Sequence, residues 1–493
     1  MQNSKLIRLL SSLSKEELKR FDAFIRSPFF NNKQQPIILF EYLKQRYDKW
    51  YPLIKKQAKS PREVQETEKL LHKYLSKERV YKKLFPKDAY NDARIRRIMS
   101  YCKLLLDDFL IQLAFESEQE NNYRRLLRLR YHSKRQESSL FRESLKSVEE
   151  NLNNIPYQDQ EYYLYAYQIE QERNNHLVRQ GKTQESYQQL ANHFDSYFLL
   201  SKLRIFSAML NRQKTLKVQY TFNMMEEILM YLETNLAQQV PPVVIYYYIL
   251  KLGMGTASQK DYNHLVETLE KHKSLISPDE LRQIYSFMLN HLIRESRKPG
   301  TNRHTETFAL LKIMLAEGFL YVNQKILIQY FNLCVVIACR INELDWAEDF
   351  IYEHEDRLVG ANHKEVFDYT FLSLLFYKQD YEEILKRIDS MRFKEARYQI
   401  MRRMLKLKTL FECEREDAFF LLTDSLKKFI RSKKDLGDTA RVYYTNFVSF
   451  TERLGKVRFD QRSVSQDLIQ GIQEGRTADK EWLQEKLDQL TRR

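Results

Sequence analysis

Two clusters of basic side chains have the composition and spacing to bind anionic groups. The first basic cluster surrounds Phe85-Pro86 and consists of Lys82, Lys83, Lys87, Arg94, Arg96 and Arg97. The second lies in thirteen residues, from Tyr123 to Arg135, that contain no acid, and consists of Arg124, Arg125, Arg128, Arg130, Lys134 and Arg135. Residues four apart share a helix face, so each cluster could present several cations to phosphates or carboxylates. Binding to phosphates would be salt-sensitive and largely independent of sequence.

The net charge favours an acidic partner for the N-terminal part of the chain. Lys and Arg outnumber Asp and Glu by 81 to 66, a formal charge of +15, and residues 1–100 contain 24 basic and 11 acidic side chains. Such an excess fits nucleic acid, an acidic protein surface or anionic lipid. The alternative is an ordinary solvated helical surface, on which long Lys and Arg side chains cover apolar neighbours.

The motifs of known catalytic and cofactor sites are incomplete or missing. Gly181-Lys182-Thr183 has the form of the end of a phosphate loop, but His176 stands where that motif needs a glycine. We expect Gly181 to end one helix and Thr183 to cap the next. The ten histidines form no HExxH motif. We therefore predict no catalytic residue, no metal site and no cofactor, and we expect the protein not to be an enzyme.

One histidine has acidic neighbours, which leaves two interpretations. His354 stands beside Glu353, Glu355 and Asp356, but adjacent residues of a helix do not share a face. We therefore expect a solvated polar turn here. Alternatively, the acidic residues of 343–356 could form a patch for a basic peptide.

Composition determines the fold class. The chain of 493 residues contains 10 Gly and 10 Pro, whereas average usage, about 7% and 5%, would give roughly 60 of the two together. Sheet proteins need these residues at tight turns, and nucleotide-binding α/β folds need Gly beside phosphate. We predict an all-α protein.

Cysteine usage and apolar runs suggest a cytoplasmic protein without membrane insertion. The four cysteines (Cys102, Cys334, Cys339 and Cys413) show no CxxC pairing and are expected to be reduced core residues. Arg8 interrupts the apolar residues near the start of the sequence, so the opening fifteen residues contain no continuous apolar region of the kind that a signal peptide has. The longest apolar stretch, 240–250, falls short of the about 20 residues that span a bilayer.

Helical spacing and proline breaks predict a basic helical N-terminal domain over residues 1–150. A capping box at Ser14 and Glu17 begins one helix, and a long helix is predicted from Asp88 to about Gln119. The stretch 84–100, which contains Leu84-Phe85-Pro86 and the arginines of the first basic cluster, resembles the winged-helix domain of bacterial transcriptional activators. That resemblance implies that the helix carrying Arg94, Arg96 and Arg97 enters the DNA major groove. The family's hairpin wing is missing from the pattern, since Leu104–Phe115 continues as helix.

A repeat of about 35 residues predicts a second domain over residues 151–455. Similar segments at 345–350, 380–385 and 416–421 each open a helix after a polar turn, and each follows a longer apolar helix. Weaker pairs are predicted at 162–200, 243–272 and 279–316. The period resembles that of tetratricopeptide repeats in degenerate form, which implies an α-solenoid that binds peptides or proteins in its groove. A tail, 456–493, contains a last amphipathic helix over 480–490 that would cap the array.

Tyrosines crowd two of the predicted helices, at 162–167 and at 246–248. We expect core packing between stacked helices, with a peptide-binding groove as the alternative. The N-terminal signature (27–31, 84–86 and Ser100), followed by degenerate repeats, is also similar over most of the chain to a family of bacterial helical proteins, a resemblance that implies no function.

These patterns lead to one functional hypothesis and one alternative. We expect a non-enzymatic adaptor or scaffold whose groove binds a protein or peptide and whose basic N-terminal end binds an acidic partner. The alternative is a nucleic-acid-binding regulator that acts through Arg94, Arg96, Arg97 and the second basic cluster. The identity of the partner and the oligomeric state remain open.

Overall fold

The computed structural model describes residues 1–55, 61–116, 118–182, 187–216, 218–296, 301–359, 363–433 and 436–492. These residues form two compact units. Residues 1–155 and 161–194 belong to the first unit, and residues 156–160 and 195–493 belong to the second. The divisions predicted at residues 150 and 455 rest on sequence patterns and stay predictions.

Helices account for nearly all the regular structure up to residue 179. They are α1 Lys5–Leu10, α2 Lys15–Arg26, α3 Gln34–Lys44, α4 Tyr47–Lys55, α5 Pro61–Tyr74, α6 Lys77–Leu84, α7 Asp92–Ala114, α8 Glu118–Lys134, α9 Ser138–Asn153 and α10 Gln160–Arg179. The predicted capping box forms at α2, where the Glu17 N–H donates to Ser14 Oγ and the Ser14 N–H donates to the Glu17 carboxylate. The predicted apolar stripe of α7 packs inward, with Ile95, Cys102 and Leu106 fully buried.

Helices also dominate the rest of the chain. They are α11 Tyr187–Leu216, α12 Met225–Asn235, α13 Pro241–Met254, α14 Gln259–His272, α15 Pro278–Glu295, α16 His304–Ala316, α17 Ile328–Arg340, α18 Leu344–Glu353, α19 His363–Tyr377, α20 Tyr381–Ile388, α21 Ala396–Glu412, α22 Glu416–Ser432, α23 Asp438–Phe459, α24 Gln466–Glu474 and α25 Lys480–Thr491. Short 3₁₀ turns occupy Leu236–Gln238, Lys273–Leu275 and Glu355–Arg357.

The described residues are therefore almost entirely helical, as predicted. The exceptions are three short strands, β1 Tyr321–Val322, β2 Lys325–Leu327 and β3 Leu358–Val359. Strand β1 pairs antiparallel with β2, and β2 pairs parallel with β3. A strand of two or three residues carries too little alternation to be recognised in a sequence, so the composition argument did not predict them.

The second half of the chain is built from successive packed helices. The contacts run α13 to α14 and α15, α15 to α16, α16 to α17, α17 to α18 and α19, α19 to α20 and α21, and α21 to α22 and α23. Helices α18, α20 and α22 begin at or within one residue of the three segments that define the sequence repeat. The helix predicted to end at residue 200 continues to Leu216 as α11. One apolar cluster extends from α19 to α25, with Phe411, Phe419 and Phe447 fully buried.

Candidate functional site

Helix α8 turns one face into the protein and one face out. Leu126 and Leu129 are fully buried, where they join Phe141 of α9 and Tyr165 of α10 in a small apolar cluster. Helix α9 is the main packing neighbour of α8. Because residues three and four apart share a helix face, this burial leaves the opposite side of α8 exposed.

The outward side carries large apolar rings among cations, and we call it the α8 face. It consists of Tyr123, Arg124, Leu127, Arg128, Tyr131, Lys134 and Arg135. Tyr123, Leu127 and Tyr131, at four-residue spacing, are 43%, 39% and 52% exposed. The Arg135 guanidinium lies 4.7 Å from the centroid of the Tyr131 ring, and the Tyr123 ring stacks on Phe115 at 6.0 Å.

The cations of the α8 face have few partners of their own. Arg124 Nη1 donates to the Phe115 carbonyl at 3.1 Å, and Arg128 Nη2 lies 3.4 Å from Ser147 Oγ. In the part of the chain that the structure describes, no carboxylate lies within 4.0 Å of these two arginines, or of Lys134 and Arg135. Their charge is therefore available to an acidic partner.

The other two arginines of the second basic cluster are half-buried. Arg125 Nη1 donates to Ser147 Oγ of α9 at 2.7 Å. Arg130 Nε lies 2.9 Å from Glu172 Oε1, and Glu172 is buried in α10. Both guanidinium groups connect α8 to its neighbours, so their charge contributes to packing within the first unit.

All six members of the first basic cluster are exposed, at the end of α6, in the loop that follows it and in the first turns of α7. Arg94 Nη1 lies 2.7 Å from Asp88 Oδ2, and its guanidinium lies 3.5 Å from the centroid of the Phe85 ring. Arg96 Nη2 lies 2.6 Å from Asp92 Oδ2. Local carboxylates therefore offset the charge of two of the three arginines that the winged-helix resemblance singles out.

The two basic clusters lie at opposite ends of α7. The eighteen helical steps from Arg97 to Phe115 span about 27 Å at 1.5 Å per residue. Phe115, at the C-terminal end of α7, is the residue that Arg124 and Tyr123 contact. Helix α8 is not among the elements that pack extensively on α7. Most of the length of α7 therefore separates Arg97 of the first basic cluster from Phe115, the residue that the second basic cluster contacts.

The helix predicted to continue through Leu104–Phe115, in place of a hairpin wing, is confirmed, since α7 runs to Ala114. The entry of Arg94, Arg96 and Arg97 into a DNA groove, which the winged-helix resemblance implies, stays a prediction. The described residues that follow α7 form α8, and the described strands all lie between residues 321 and 359. A helix in the position of the hairpin cannot supply the strands of a wing.

The expectation of a solvated turn is wrong for His354, which is fully buried. Its Nδ1 donates to the Phe350 carbonyl at 3.0 Å, and the Tyr321 hydroxyl donates to its Nε2 at 2.8 Å. The periodicity of α18 contained this signal, since His354 follows Phe350 by four residues and Phe350 is itself buried. Next to this pair lies a cavity of about 340 Å³, whose walls include Tyr321, Trp346 and Phe350.

A larger polar cavity, of about 540 Å³, lies beside α25 and the ends of α17, α19 and α21. Lys408 Nζ lies 2.6 Å from Asp479 Oδ2, and Lys486 Nζ lies 2.9 Å from Glu412 Oε1. The Glu412 carboxylate also accepts from Trp482 Nε1 at 3.0 Å. These charges are paired across the boundary of α25, so they hold the last helix on the ends of the earlier ones.

No group of three or more His, Cys, Asp and Glu side chains among the described residues is placed to hold a metal ion. Gly181 adopts φ +70 after α10, as expected for a residue that ends a helix, while Thr183 lies outside the described residues. The four cysteines are free, three of them buried and Cys413 half-buried.

Five of the seven tyrosines in the two tyrosine-rich segments are buried, as predicted for core packing, while Tyr162 and Tyr167 are half-buried. Tyr163, Tyr165 and the three tyrosines at 246–248 are buried, and Tyr246 donates to the buried Glu280 at 2.9 Å.

Within the described residues, no helix is both long enough and apolar enough to cross a membrane. Comparisons of the chain with protein-family models, with curated proteins and with solved structures find no match.

Proposed function

We propose that this protein is a non-enzymatic adaptor made of helical hairpins, and that it docks on an acidic protein through the α8 face. The observation that carries the proposal is the mixture on that face: three large apolar side chains alternate with four cations that have no described carboxylate partner. Tyr and Arg are enriched at the centres of protein interfaces because they combine a rigid apolar area with hydrogen-bonding capacity. Four cations would select an acidic partner and speed its association.

The contact pattern of the second unit supports a tetratricopeptide-like solenoid as the scaffold of this adaptor. Helices α17, α19, α21 and α23 pack in sequence, each with an intervening helix beside it. In a solenoid, alternate helices line a continuous concave surface, which suits extended contact with a peptide or protein. We propose that this surface is a second docking region.

The separation of the basic clusters favours the adaptor over a nucleic-acid-binding regulator. A duplex is contacted best by cations that lie on one continuous surface, because its phosphates follow one backbone. The clusters lie instead about 27 Å apart along α7, and Asp88 and Asp92 pair with Arg94 and Arg96.

Nucleic acid remains the second candidate because of one observation. Tyr123, Tyr131 and the neighbouring arginines form the mixture of rings and cations on which single-stranded bases stack. In that case the α8 face would bind single-stranded RNA or DNA in a salt-dependent way, with the arginines of the first basic cluster as further contacts.

Photocrosslinking distinguishes the two candidates. A benzoylphenylalanine at position 127, in the middle of the α8 face, is compared with one at Leu421, which is exposed on α22. If the protein is an adaptor, we expect a discrete protein adduct at position 127 that is missing at position 421. The Arg124→Glu/Arg128→Glu variant should lose that adduct, and the Lys260→Glu/Lys271→Glu control, which has the same charge change, should keep it.

Binding of the purified protein to duplex DNA and single-stranded RNA across a salt series completes the test. The result that would favour the nucleic-acid candidate is RNA binding with a steep salt dependence. This binding would have to be lost in the Arg124→Glu/Arg128→Glu variant and kept in the control variant. No protein adduct at position 127 would overturn the adaptor proposal.

A further inference from the structure

The cavity beside α18 has walls suited to a cation. It is lined by the rings of Tyr321, Trp346 and Phe350 and by the carboxylate residues Asp349 and Glu353, and we call it the aromatic cavity. Lys312, Leu315 and His354 complete its lining. We propose that the aromatic cavity binds the cationic side chain of an arginine or lysine in a basic segment of a partner protein.

The aromatic wall supplies the first part of the recognition. Trp346 stacks on Phe350 with ring centroids 4.9 Å apart and planes 14° apart, and the Phe308 ring meets Trp346 edge-on at 4.8 Å. The faces of aromatic rings carry partial negative charge and attract guanidinium and ammonium groups, Trp most strongly. An anion would be repelled by the same faces.

The two carboxylates supply the second part. Asp349 and Glu353 are four residues apart on α18, so they share one face of the helix, and both are exposed. Glu353 Oε1 lies 3.7 Å from Arg357 Nη1. For Asp349, no cation among the described residues lies within 4.0 Å. Its carboxylate can therefore pair with a guest cation.

The cavity is held in its shape before any guest arrives. Burial, together with nearby Glu353, raises the pKa of Tyr321, so that its hydroxyl keeps the proton it donates to His354. His354 in turn donates to the Phe350 carbonyl, which fixes its tautomer. Tyr321 lies in β1, which pairs with β2, and β2 pairs with β3, the strand that follows α18 in the chain. This small sheet therefore fixes the position of Tyr321. A preformed site loses little conformational entropy on binding.

Lys312 makes the proposal directional. Its Nζ lies 4.8 Å from the centroid of the Phe308 ring, and the side chain is exposed at the edge of the cavity. A guest cation is repelled by this charge, and a guest anion is attracted. Replacing Lys312 by an uncharged residue must therefore strengthen the binding of a guest cation.

This inference goes beyond the proposed function, because it assigns the second unit a site for basic segments. Its outcome does not depend on the α8 face, which lies in the first unit. The Arg124→Glu/Arg128→Glu variant should bind the cationic probes described below as the original chain does.

Ligand-observed NMR with the full chain tests the proposal. The probes are N-acetyl-arginine methylamide and N-acetyl-lysine methylamide, with the norleucine analogue as an uncharged control of similar shape and the glutamate analogue as an anion. We expect the two cations to bind, with upfield shifts of their terminal methylene protons from the ring currents of the aromatic wall. The norleucine and glutamate analogues should not bind.

Three substitutions assign the binding to this cavity. Asp349→Asn should weaken the binding of the two cationic probes about fivefold. Glu343→Gln, which changes an exposed carboxylate outside the cavity, should leave their binding unchanged. Lys312→Met should strengthen cation binding severalfold. Trp346→Leu should abolish the upfield shifts. If replacing this half-buried ring disturbs folding, the two variants at exposed residues, Asp349→Asn and Lys312→Met, keep the test valid.

Three results would overturn the proposal. They are equal binding of the norleucine analogue, cation binding unchanged by Asp349→Asn, and cation binding weakened by Lys312→Met.

Discussion

The packing of Gly455 against Phe419 gives the sharpest prediction for the fold. Gly455 lies within α23, where a Cβ atom would stand 2.3 Å from Phe419 Cε1 and 2.8 Å from Cζ. Ordinary Cβ contacts begin near 3.4 Å, so the ring would have to move by about 1 Å. Phe419 is fully buried, with Phe411, Phe420 and Phe459 around it at centroid distances of 5.2 to 5.9 Å. The ring has little room to move.

Two opposing terms determine the sign of the effect of Gly455→Ala on stability. Replacing Gly by Ala inside a helix stabilises a protein by about 1 kcal/mol, because the unfolded chain loses freedom. Overpacking a close-packed core costs about 1 to 3 kcal/mol. Because the ring is enclosed, we take the upper value of the overpacking cost, about 3 kcal/mol. After the gain of about 1 kcal/mol is subtracted, the free energy of local unfolding should fall by about 2 kcal/mol.

Hydrogen exchange followed by mass spectrometry measures this change locally, which matters in a chain of two units. A loss of about 2 kcal/mol should speed exchange of the protected amides of α22 and α23 about 30-fold. The matched control is Gly253→Ala in α13, where a Cβ meets the side chain of Leu210 at 3.3 Å, at its Cδ1 atom. That flexible side chain can give way, so exchange in α13 should be unchanged or slower.

Equal behaviour of the two variants would refute the reasoning, as would slower exchange in α23 of Gly455→Ala. A double mutant adds a second check. Phe419→Leu removes the ring that clashes, so Gly455→Ala should cost less in its presence than in the original chain.

Three further predictions concern a cap, the thiols and the half-buried ion pair of Lys408 and Asp479. Ser14→Ala removes the capping box of α2 and should cost about 1 kcal/mol, visible as faster exchange in its first turn; Ser12→Ala, whose Oγ donates only to the Leu9 carbonyl, is the control. Burial raises the pKa of Cys102 and Cys339 to about 12, so a disulfide reagent at pH 8 should modify the half-buried Cys413 first, and Cys413→Ser should remove the fast phase. Burial alone would raise the pKa of Asp479, but Lys408 and Arg340 lower it below its ordinary 3.8. The stabilisation is therefore present above pH 3.8 and lost as the pH falls through the folded-state value. Asp479→Asn should flatten this acid dependence in the exchange of α25; a dependence that persists in the variant would contradict the role of the pair.

Local signals predicted most of the secondary structure. The capping box at Ser14 and Glu17, the apolar stripe of α7 and the starts of α18, α20 and α22 all follow from residues within one or two helical turns of one another. Two boundaries differ from the prediction: α7 begins at Asp92, four residues after its predicted start, and α11 continues sixteen residues past its predicted end.

The candidate sites depended on tertiary packing. The second basic cluster is contiguous in sequence, yet Arg125 and Arg130 connect α8 to α9 and α10 while Arg124 and Arg128 face solvent. Spacing places residues on faces of a helix, but it does not say which face is covered, because that depends on the helices that pack there.

The sequence by itself determined that this protein is helical, where many of its helices begin, and that its positive charge is concentrated in the first hundred residues, since these properties are set by composition and by neighbours along the chain. Only the tertiary structure decided that His354 is buried, and that Lys312, Tyr321 and Trp346, from three separate elements, line one cavity. The physical reason is that a binding site is a juxtaposition of distant segments. Which segments meet follows from the packing of whole helices, a property that no local pattern encodes.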